Sequence, residues 1–177
     1  MAGVIDGAFI KQFAKACSTE DRHKDTILES IWFDNGKLYA SDTVRMYRLT
    51  LNGDTSLGAL NGSRFRFPVE ACKNAKRGKF SFNTELVGMP GQTYHTIELE
   101  NSMNADKLFN FKADDDAVNT LAMNAKFMTE VAELAEAAGK NHQIHVEITG
   151  KNKPILFWFD TDWGICDCII MPVRIDY

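Results

Sequence analysis

No stretch of this sequence is long and apolar enough to cross a bilayer, and its start, Met1-Ala-Gly-Val-Ile-Asp6, lacks a basic segment followed by an apolar one. The reading is therefore a cytoplasmic protein with no membrane partner. Basic residues are not in excess either. Twenty Lys and Arg against 24 Asp and Glu give a formal net charge of -4, which excludes a body coated by nucleic acid and confines any such contact to a local patch. No Gly-rich loop joins a strand to a helix, so nothing supports an ATPase or a dehydrogenase, and no cofactor is expected.

Chemistry-bearing side chains are sparse in the same way. The four cysteines, Cys17, Cys72, Cys166 and Cys168, lie in otherwise apolar patterns, where a reduced thiol acts as a small hydrophobe and a disulfide scaffold is not expected. Cys166-Asp-Cys168 lacks the second pair that a closed zinc site needs, and His142 and His145 lie far from any cysteine and read as surface and packing residues. Asp114-Asp115-Asp116 lacks the spaced ligands of a calcium loop and reads as a solvated linker. No metal is expected. No nucleophile, base and orienting acid can be assembled from one segment, so the chain is not read as an enzyme.

What remains is an ordinary globular composition, 45% hydrophobic and 25% charged, sufficient for a real core. Asp6 sits where a helix N-cap is wanted, and Phe9, Ile10, Phe13, Ala16 and Cys17 recur at helical spacing up to Ser18. Strands are expected at Thr26 to Phe33, Lys37 to Ser41 and Val44 to Leu51, with a turn at Asp34-Asn35-Gly36. After a polar linker from Asn52 to Ser63, Phe65-Arg66-Phe67 leads into Pro68, which suits the first position of a helix running to about Arg77. Strands follow at Lys79 to Leu86, Thr93 to Glu100 and Lys107 to Lys112. A third pass begins with Val118 to Ala122. Asn124 caps a helix with Phe127, Met128, Val131, Leu134, Ala135 and Ala138 on its apolar stripe, ending at Gly139, and strands follow at Gln143 to Thr149, Pro154 to Phe159 and Gly164 to Met171.

The chain thus divides into three βαβββ units, 1–60, 61–116 and 117–177, within one compact subunit. Single helices alternating with antiparallel meanders define an α+β class with helices on one face of the sheets, and disfavour a doubly wound nucleotide-binding fold. The apolar run from Ile165 through Met171-Pro172-Val173 to Ile175 is expected to be tied down and to form part of a surface.

Three segments together carry a resemblance. They are Leu121-Ala-Met-Asn-Ala-Lys-Phe-Met-Thr-Glu-Val-Ala-Glu-Leu134, His145-Val-Glu-Ile-Thr-Gly150 with Lys153-Pro-Ile-Leu156, and Ile170-Met-Pro-Val-Arg-Ile175. In order and spacing they resemble the last half-domain of the bacterial DNA sliding clamp, the DNA polymerase III beta subunit. Gly36-Lys-Leu-Tyr-Ala-Ser-Asp-Thr-Val-Arg-Met46 is similar to the clamp segment in which a strand ends in Ala-Thr-Asp and turns into an Arg-Leu pair, and the middle unit matches through Phe67-Pro-Val-Glu70. The resemblance implies a closed ring that encircles duplex DNA, helices inside and sheets outside, and that tethers a DNA polymerase as a processivity factor in DNA replication. Family rings contain twelve units. Three units per chain imply a homotetramer, and an odd number leaves one unit without an intrachain partner, exposing sheet edge and apolar surface unless a neighbour covers it.

Two sets of candidate residues follow. Pore-facing helices should present cations that hold phosphates without reading sequence. Lys11 and Lys15 stand at i, i+4. Lys73, Lys76 and Arg77 fall together on the second helix with Lys79 just beyond, whereas Lys126 is followed by Glu130, Glu133 and Glu136. By the resemblance, a partner-peptide pocket would have Ser41, Thr43, Val44, Arg45 and Met46 on one wall and Met171, Pro172, Val173 and Arg174 on the other. Thr43 stands where the family usually has glycine, and Val44 where it has a histidine or an aromatic. A polymerase and a clamp loader are the implied partners. The alternative is a clamp-like adaptor or mimic that binds replication proteins without encircling DNA, a reading that the glutamates of the third helix favour.

Overall fold

Asp6 ends the first strand and starts the first helix with a single side chain. Its Oδ1 accepts from the Ala8 N–H at 2.7 Å and its Oδ2 from the Gly78 N–H at 3.0 Å, which satisfies an orphan donor at the helix start and ties that end to a distant loop. The expected cap is therefore present. Asn124 caps its helix in the same way, through Lys126 N–H at 3.0 Å.

The computed structural model describes residues 3–24, 26–52, 60, 62–99, 104–110, 121–140, 142–150 and 152–173. Its elements run β1 (Gly3–Asp6), α1 (Gly7–Phe13), β2 (Trp32–Asp34), β3 (Lys37–Ser41), β4 (Arg45–Leu51), β5 (Arg64–Arg66), α2 (Val69–Lys73), β6 (Lys79–Phe82), β7 (Leu86–Met89), β8 (Gln92–His95), β9 (Ile97–Glu98), α3 (Ala125–Ala137), β10 (His145–Ile148), β11 (Ile155–Thr161) and β12 (Gly164–Ile170). Short 3-10 turns lie at Ala14–Ala16, Asp21–His23, Ile27–Glu29 and Ala105–Phe109. The class is α+β, as expected, and no described helix is long and apolar enough to cross a membrane.

Strand pairing crosses the sequence. β1 does not join the strands that follow α1 but pairs antiparallel with β6, Gly3 opposite Phe82, in a four-stranded sheet ordered β1-β6-β7-β8. Conversely β5, which precedes α2, pairs with β2. The second sheet has eight strands in the order β10-β11-β12-β4-β3-β2-β5-β9, so the last three long strands extend it through β12 on β4. At this seam Gly164 is required: a Cβ there would lie 1.9 Å from the carbonyl oxygen of Thr50. Arg48 on β4 and Asp167 on β12, directly opposite in register, form an ion pair across the seam.

Alternation along the strands builds two cores. Tyr47 and Leu49 of β4, Phe157 and Phe159 of β11 and Cys166, Cys168 and Ile170 of β12 face the helices with Phe9, Ile10, Phe13, Val131 and Leu134, and both sheets share this cluster. Burial of each such large side chain contributes roughly 1.5–3 kcal/mol before chain entropy is counted. On the opposite face Trp32, Tyr39, Met46 and Ile169 pack beneath Ala105 and Phe109. The two cysteines of the Cys-Asp-Cys run lie side by side in the main core, Sγ to Sγ 4.0 Å.

The expected Lys79–Leu86 strand breaks after Phe82, the expected Thr93–Glu100 strand divides at Thr96 between the two sheets, and other expectations need correction too. The second helix stops at Lys73 rather than near Arg77, because Asn74 closes it with its N–H on Glu70 O at 3.0 Å and the chain must swing round so that Gly78, at φ 125°, reaches Asp6. Residues 105–109 of the expected Lys107–Lys112 strand form a 3-10 turn instead, held down by Asp106, which takes contacts from Lys37, Tyr39 and Arg48. The beginning of the expected Thr26–Phe33 strand curls, since Thr26 caps the turn that follows it through Leu28 N–H. Leu121 and Ala122 are not in a strand. Residues 111–120, with the Asp114–Asp116 run, and Arg174 lie outside the described residues.

Candidate nucleic-acid interface and partner surface

α1 lies between α2 and α3, and its exposed residues carry the first pair of candidate cations. Lys11, on α1, and Lys15, on the turn that continues it, both line a cleft of about 550 Å³ with Lys73 from the end of α2. Lys24, from the loop after the Asp21–His23 turn, makes a fourth cation in the same cleft, with Glu20 and Glu29 on its rim. Lys24 lies outside the helical spacing that marks Lys11 and Lys15. Only the folding of that loop back beside α1 brings it in, through Ser18 N–H on Leu28 O at 2.8 Å and Ser18 Oγ against His23 Nδ1 at 2.7 Å.

The cluster expected on one face of the second helix is divided by that helix's early end. Lys73 closes α2, Lys76 and Arg77 follow on the irregular loop, and Lys79 opens β6; all four are exposed. Arg77 faces a different cleft, of about 690 Å³, which it shares with Asp6, Glu133, Glu136 and Asp162, so carboxylates surround its charge. Glutamates of α3 also meet two other candidates: Lys15 is paired with Glu133, and Lys126 stands 3.8 Å from Glu130. Among the described residues, no ion pair engages Lys11, Lys73, Lys76 or Lys79.

The proposed peptide surface is built around a tightly specified turn between β3 and β4. Asp42 Oδ1 accepts from Val44 N–H at 3.1 Å and Arg45 N–H at 3.0 Å, while Ser41 Oγ accepts from Thr43 N–H at 3.2 Å and donates to Arg45 O at 2.8 Å. This network holds Thr43 at φ 77°, a left-handed conformation that a β-branched residue adopts only under constraint. It is the position where the resemblance leads one to expect glycine.

The C-terminal wall sits directly against this turn. Met171 N–H donates to Val44 O at 3.0 Å, and Val173 N–H to Ala122 O at 2.9 Å, so one chain supplies both walls. Val44, Met171 and Val173 are exposed at 44, 43 and 53%, with Pro172 half-buried between the last two. This is an apolar surface beside an adaptable methionine.

Not every residue expected in this wall reaches it. Met46 is buried on the outer face with Trp32, Tyr39 and Ile169. Arg45 points the other way, into the helix layer, because successive strand residues face opposite sides. Its guanidinium pairs with Glu130 and Asp42, donates to the Lys15 carbonyl and lies 4.5 Å from the Phe127 ring centre. Arg45 is therefore an interior tie between β4, the 3-10 turn that continues α1, and α3, not a pocket wall. Ser41 is also buried and shapes the turn through its hydrogen bonds.

Antiparallel sheets that exchange their leading strands beneath a layer of helices define the DNA sliding-clamp fold, and comparison with solved structures bears this out. The chain superposes on the sliding clamp of Bacillus subtilis with a TM-score of 0.64 at 15% identity, over 99% of this chain and 65% of that one. A similar match is found with the Pseudomonas aeruginosa DnaN clamp, DNA polymerase III subunit beta, bound to griselimycin, at TM-score 0.63 and 11% identity, over 98% and 65%. The Helicobacter pylori beta clamp bound to a DNA ligase peptide matches at TM-score 0.61 and 12% identity, over 97% and 66%. The chain thus spans just under two thirds of the length of these clamps. No protein-family profile matches the sequence, and no curated protein does.

Proposed function

We propose that this chain is a DNA sliding clamp, a processivity factor that assembles into a homo-oligomeric ring around duplex DNA and tethers a DNA polymerase through the Val44–Met171 surface. The observation that carries the reading is the gathering of Lys11, Lys15, Lys24 and Lys73 in one cleft of the helix layer on a clamp fold whose net charge is otherwise negative. Cations placed there hold phosphates without reading bases, as a protein that must slide requires. On the sequence division into three βαβββ units, four copies would supply the twelve units of a family ring. The clamp performs no reaction of its own, and a clamp loader would open the ring.

The partner surface takes a short linear peptide on exposed apolar side chains, a mode in keeping with the ligase-peptide complex of the Helicobacter pylori clamp. Pull-down with a polymerase-derived peptide should fail when Met171 is changed to Ala and Pro172 to Asp; retained binding moves the site elsewhere. For the DNA reading, protein loaded on nicked circular DNA should be retained and then lost when the circle is linearised, since a topological link ends at a free end. Changing Lys11 and Lys73 to Glu should lower retention while leaving assembly intact. Equal retention on both DNA forms rules out encirclement.

A second reading, an adaptor that binds replication proteins without encircling DNA, is favoured by the pairing of Lys15 with Glu133 and the closeness of Lys126 to Glu130. It predicts peptide binding with no retention on circular DNA.

A further inference from the structure

One buried hydroxyl in the cation cleft has no use in the clamp reading. Ser30, just before β2, is 2% exposed and lines the cleft of about 550 Å³, and its Oγ finds no hydrogen-bond partner among the described residues. Buried polar side chains are nearly always paired, so an orphan that lines a cleft marks a place for a ligand's own polar atom. Ser18, a second hydroxyl in the same cleft, is already satisfied by His23 Nδ1 and the Glu20 N–H.

The cleft changes character with depth. Its inner walls are apolar, with Ala14 and Cys17 from the turn that continues α1 and Val69 and Cys72 from α2. Cys72 is hydrogen-bonded to the Ile31 backbone, next in sequence to Ser30. At the mouth stand the exposed ammoniums of Lys11, Lys24 and Lys73. The carboxylates of the rim are held elsewhere, Glu20 by Arg22 and Glu29 by Arg66, so the mouth keeps its positive excess. A cleft of this volume suits a small molecule, since such pockets run from about 300 to 1,000 Å³.

Three kinds of ligand each fail on one of these features. Duplex DNA can lay phosphates on the lysines, but its paired, stacked bases do not reach a residue as deep as Ser30. Inorganic phosphate leaves the apolar walls and the hydroxyl unused. A fatty acid meets the walls and the lysines but gives the hydroxyl no polar partner. A nucleoside phosphate answers all three, with a flat base face for the walls, a donor and acceptor edge for the hydroxyl, and phosphates for the ammoniums.

We infer that this cleft binds a free nucleoside triphosphate, with the base edge on Ser30 Oγ and the phosphates on Lys11, Lys24 and Lys73. The binding stands apart from the clamp reading, but its consequence rests on it. Bound nucleotide takes the lysines that DNA phosphates would use, so triphosphate weakens the hold on DNA.

The test is isothermal titration calorimetry on the full chain with ATP, adenosine and inorganic tripolyphosphate in turn. ATP should bind once per chain and more tightly than either of the other two. Ser30→Ala should weaken ATP and adenosine alike by about two- to tenfold, the loss of one hydrogen bond, and leave tripolyphosphate unchanged. Lys11→Gln with Lys73→Gln should weaken ATP and tripolyphosphate and spare adenosine. Without ligand, Ser30→Ala should not lower the melting temperature, because the hydroxyl it removes has no partner to lose. A lowered melting temperature gives the serine a structural role and overturns the proposal. Tripolyphosphate that binds as tightly as ATP overturns it as well, leaving cations with no base site, and so does a single-stranded oligonucleotide that depends on Ser30 where ATP does not bind. ATP binding in a chain that shows no retention on circular DNA sinks the clamp reading alone and leaves this site standing.

Discussion

Arg48 grips Asp167 with two nitrogens, Nη2 at 2.7 Å and Nε at 3.0 Å from the same carboxylate oxygen, across the seam where β12 joins β4. A third nitrogen, Nη1, donates to Asp106 at 3.0 Å, so one guanidinium fastens the last strand and the 3-10 turn at Ala105–Phe109 to the central sheet. Both partners at the seam are largely buried, with side chains 19 and 14% exposed.

Asp167→Ala should therefore destabilise the protein by about 1–3 kcal/mol, the usual cost of leaving a buried charged donor without its acceptor. Chemical denaturation would measure it. The variant's loss should exceed that of Lys126→Ala, whose ammonium is largely exposed and stands 3.8 Å from Glu130, a contact that contributes about 0–1 kcal/mol. Equal losses would show that the seam does not depend on this pair.

Thr43 offers the opposite case. Held at φ 77° by the hydrogen bonds of Ser41 and Asp42, it adopts a conformation that glycine enters without steric conflict. Thr43→Gly should raise the melting temperature despite the greater freedom it gives the unfolded chain, since strain of about 1–3 kcal/mol outweighs an entropy term of under about 1 kcal/mol. An unchanged or lower melting temperature would mean that the turn is not strained.

The pH response should carry the mark of Asp106. Burial opposes ionisation of this carboxyl, but hydrogen bonds from Lys37, Tyr39 and Arg48 outweigh it and hold the group below its ordinary value of 3.8. The folded value is lower than the unfolded one, so the stabilisation is present above the unfolded value and is lost as pH falls through the folded one. Asp106→Asn should flatten the acid limb of a stability–pH profile below about pH 4. A parallel limb in wild type and variant would place the acid sensitivity elsewhere.

The thiols make a second titration test. Burial pushes the Cys72 thiol up to about 12, offset in part by the Ile31 backbone and aided by Glu70, and burial likewise raises Cys166. The raised folded value means that the thiol's contribution to stability is complete below the ordinary value of 9.0 and fades as pH rises toward 12. Native protein at pH 8 should therefore resist alkylation at Cys72 and Cys166, and both should react in denaturant. Mass spectrometry of peptides after timed alkylation would show it. Rapid labelling of Cys72 would contradict the burial described.

Much of this arrangement was legible because it is local. The caps at Asp6 and Asn124, the Asn35-Gly36 turn with φ of 46° and 82°, and the close of α3 before Gly139 depend on neighbours a few residues away. The βαβββ order implies a strand before α1, but Gly3-Val-Ile-Asp6 is too short to show a period, and its partner, β6, lies far along the chain. Arg45 was misplaced for a similar reason. Spacing alone does not say which face of β4 is inward until Glu130 and Phe127, from a distant helix, are seen to receive it. The cation cleft was half legible: Lys11 and Lys15 follow from helical spacing, but Lys24 enters through a loop fold, and Arg77 leaves because α2 is short.

The exchange of β1 and β5 has a further consequence on the ribosome. Gly3 cannot find its pairing partner until Phe82 has emerged, and Arg45 must wait for Ile170 before β4 is covered on its far side. β1 is thus among the last of its neighbourhood to be satisfied, and contacts this distant in sequence make folding slow relative to helical bundles of equal size. Until residue 82 is out, the nascent chain holds Phe9, Ile10 and Phe13 without the four-stranded sheet that helps to bury them, which leaves this apolar stretch open to aggregation for that interval.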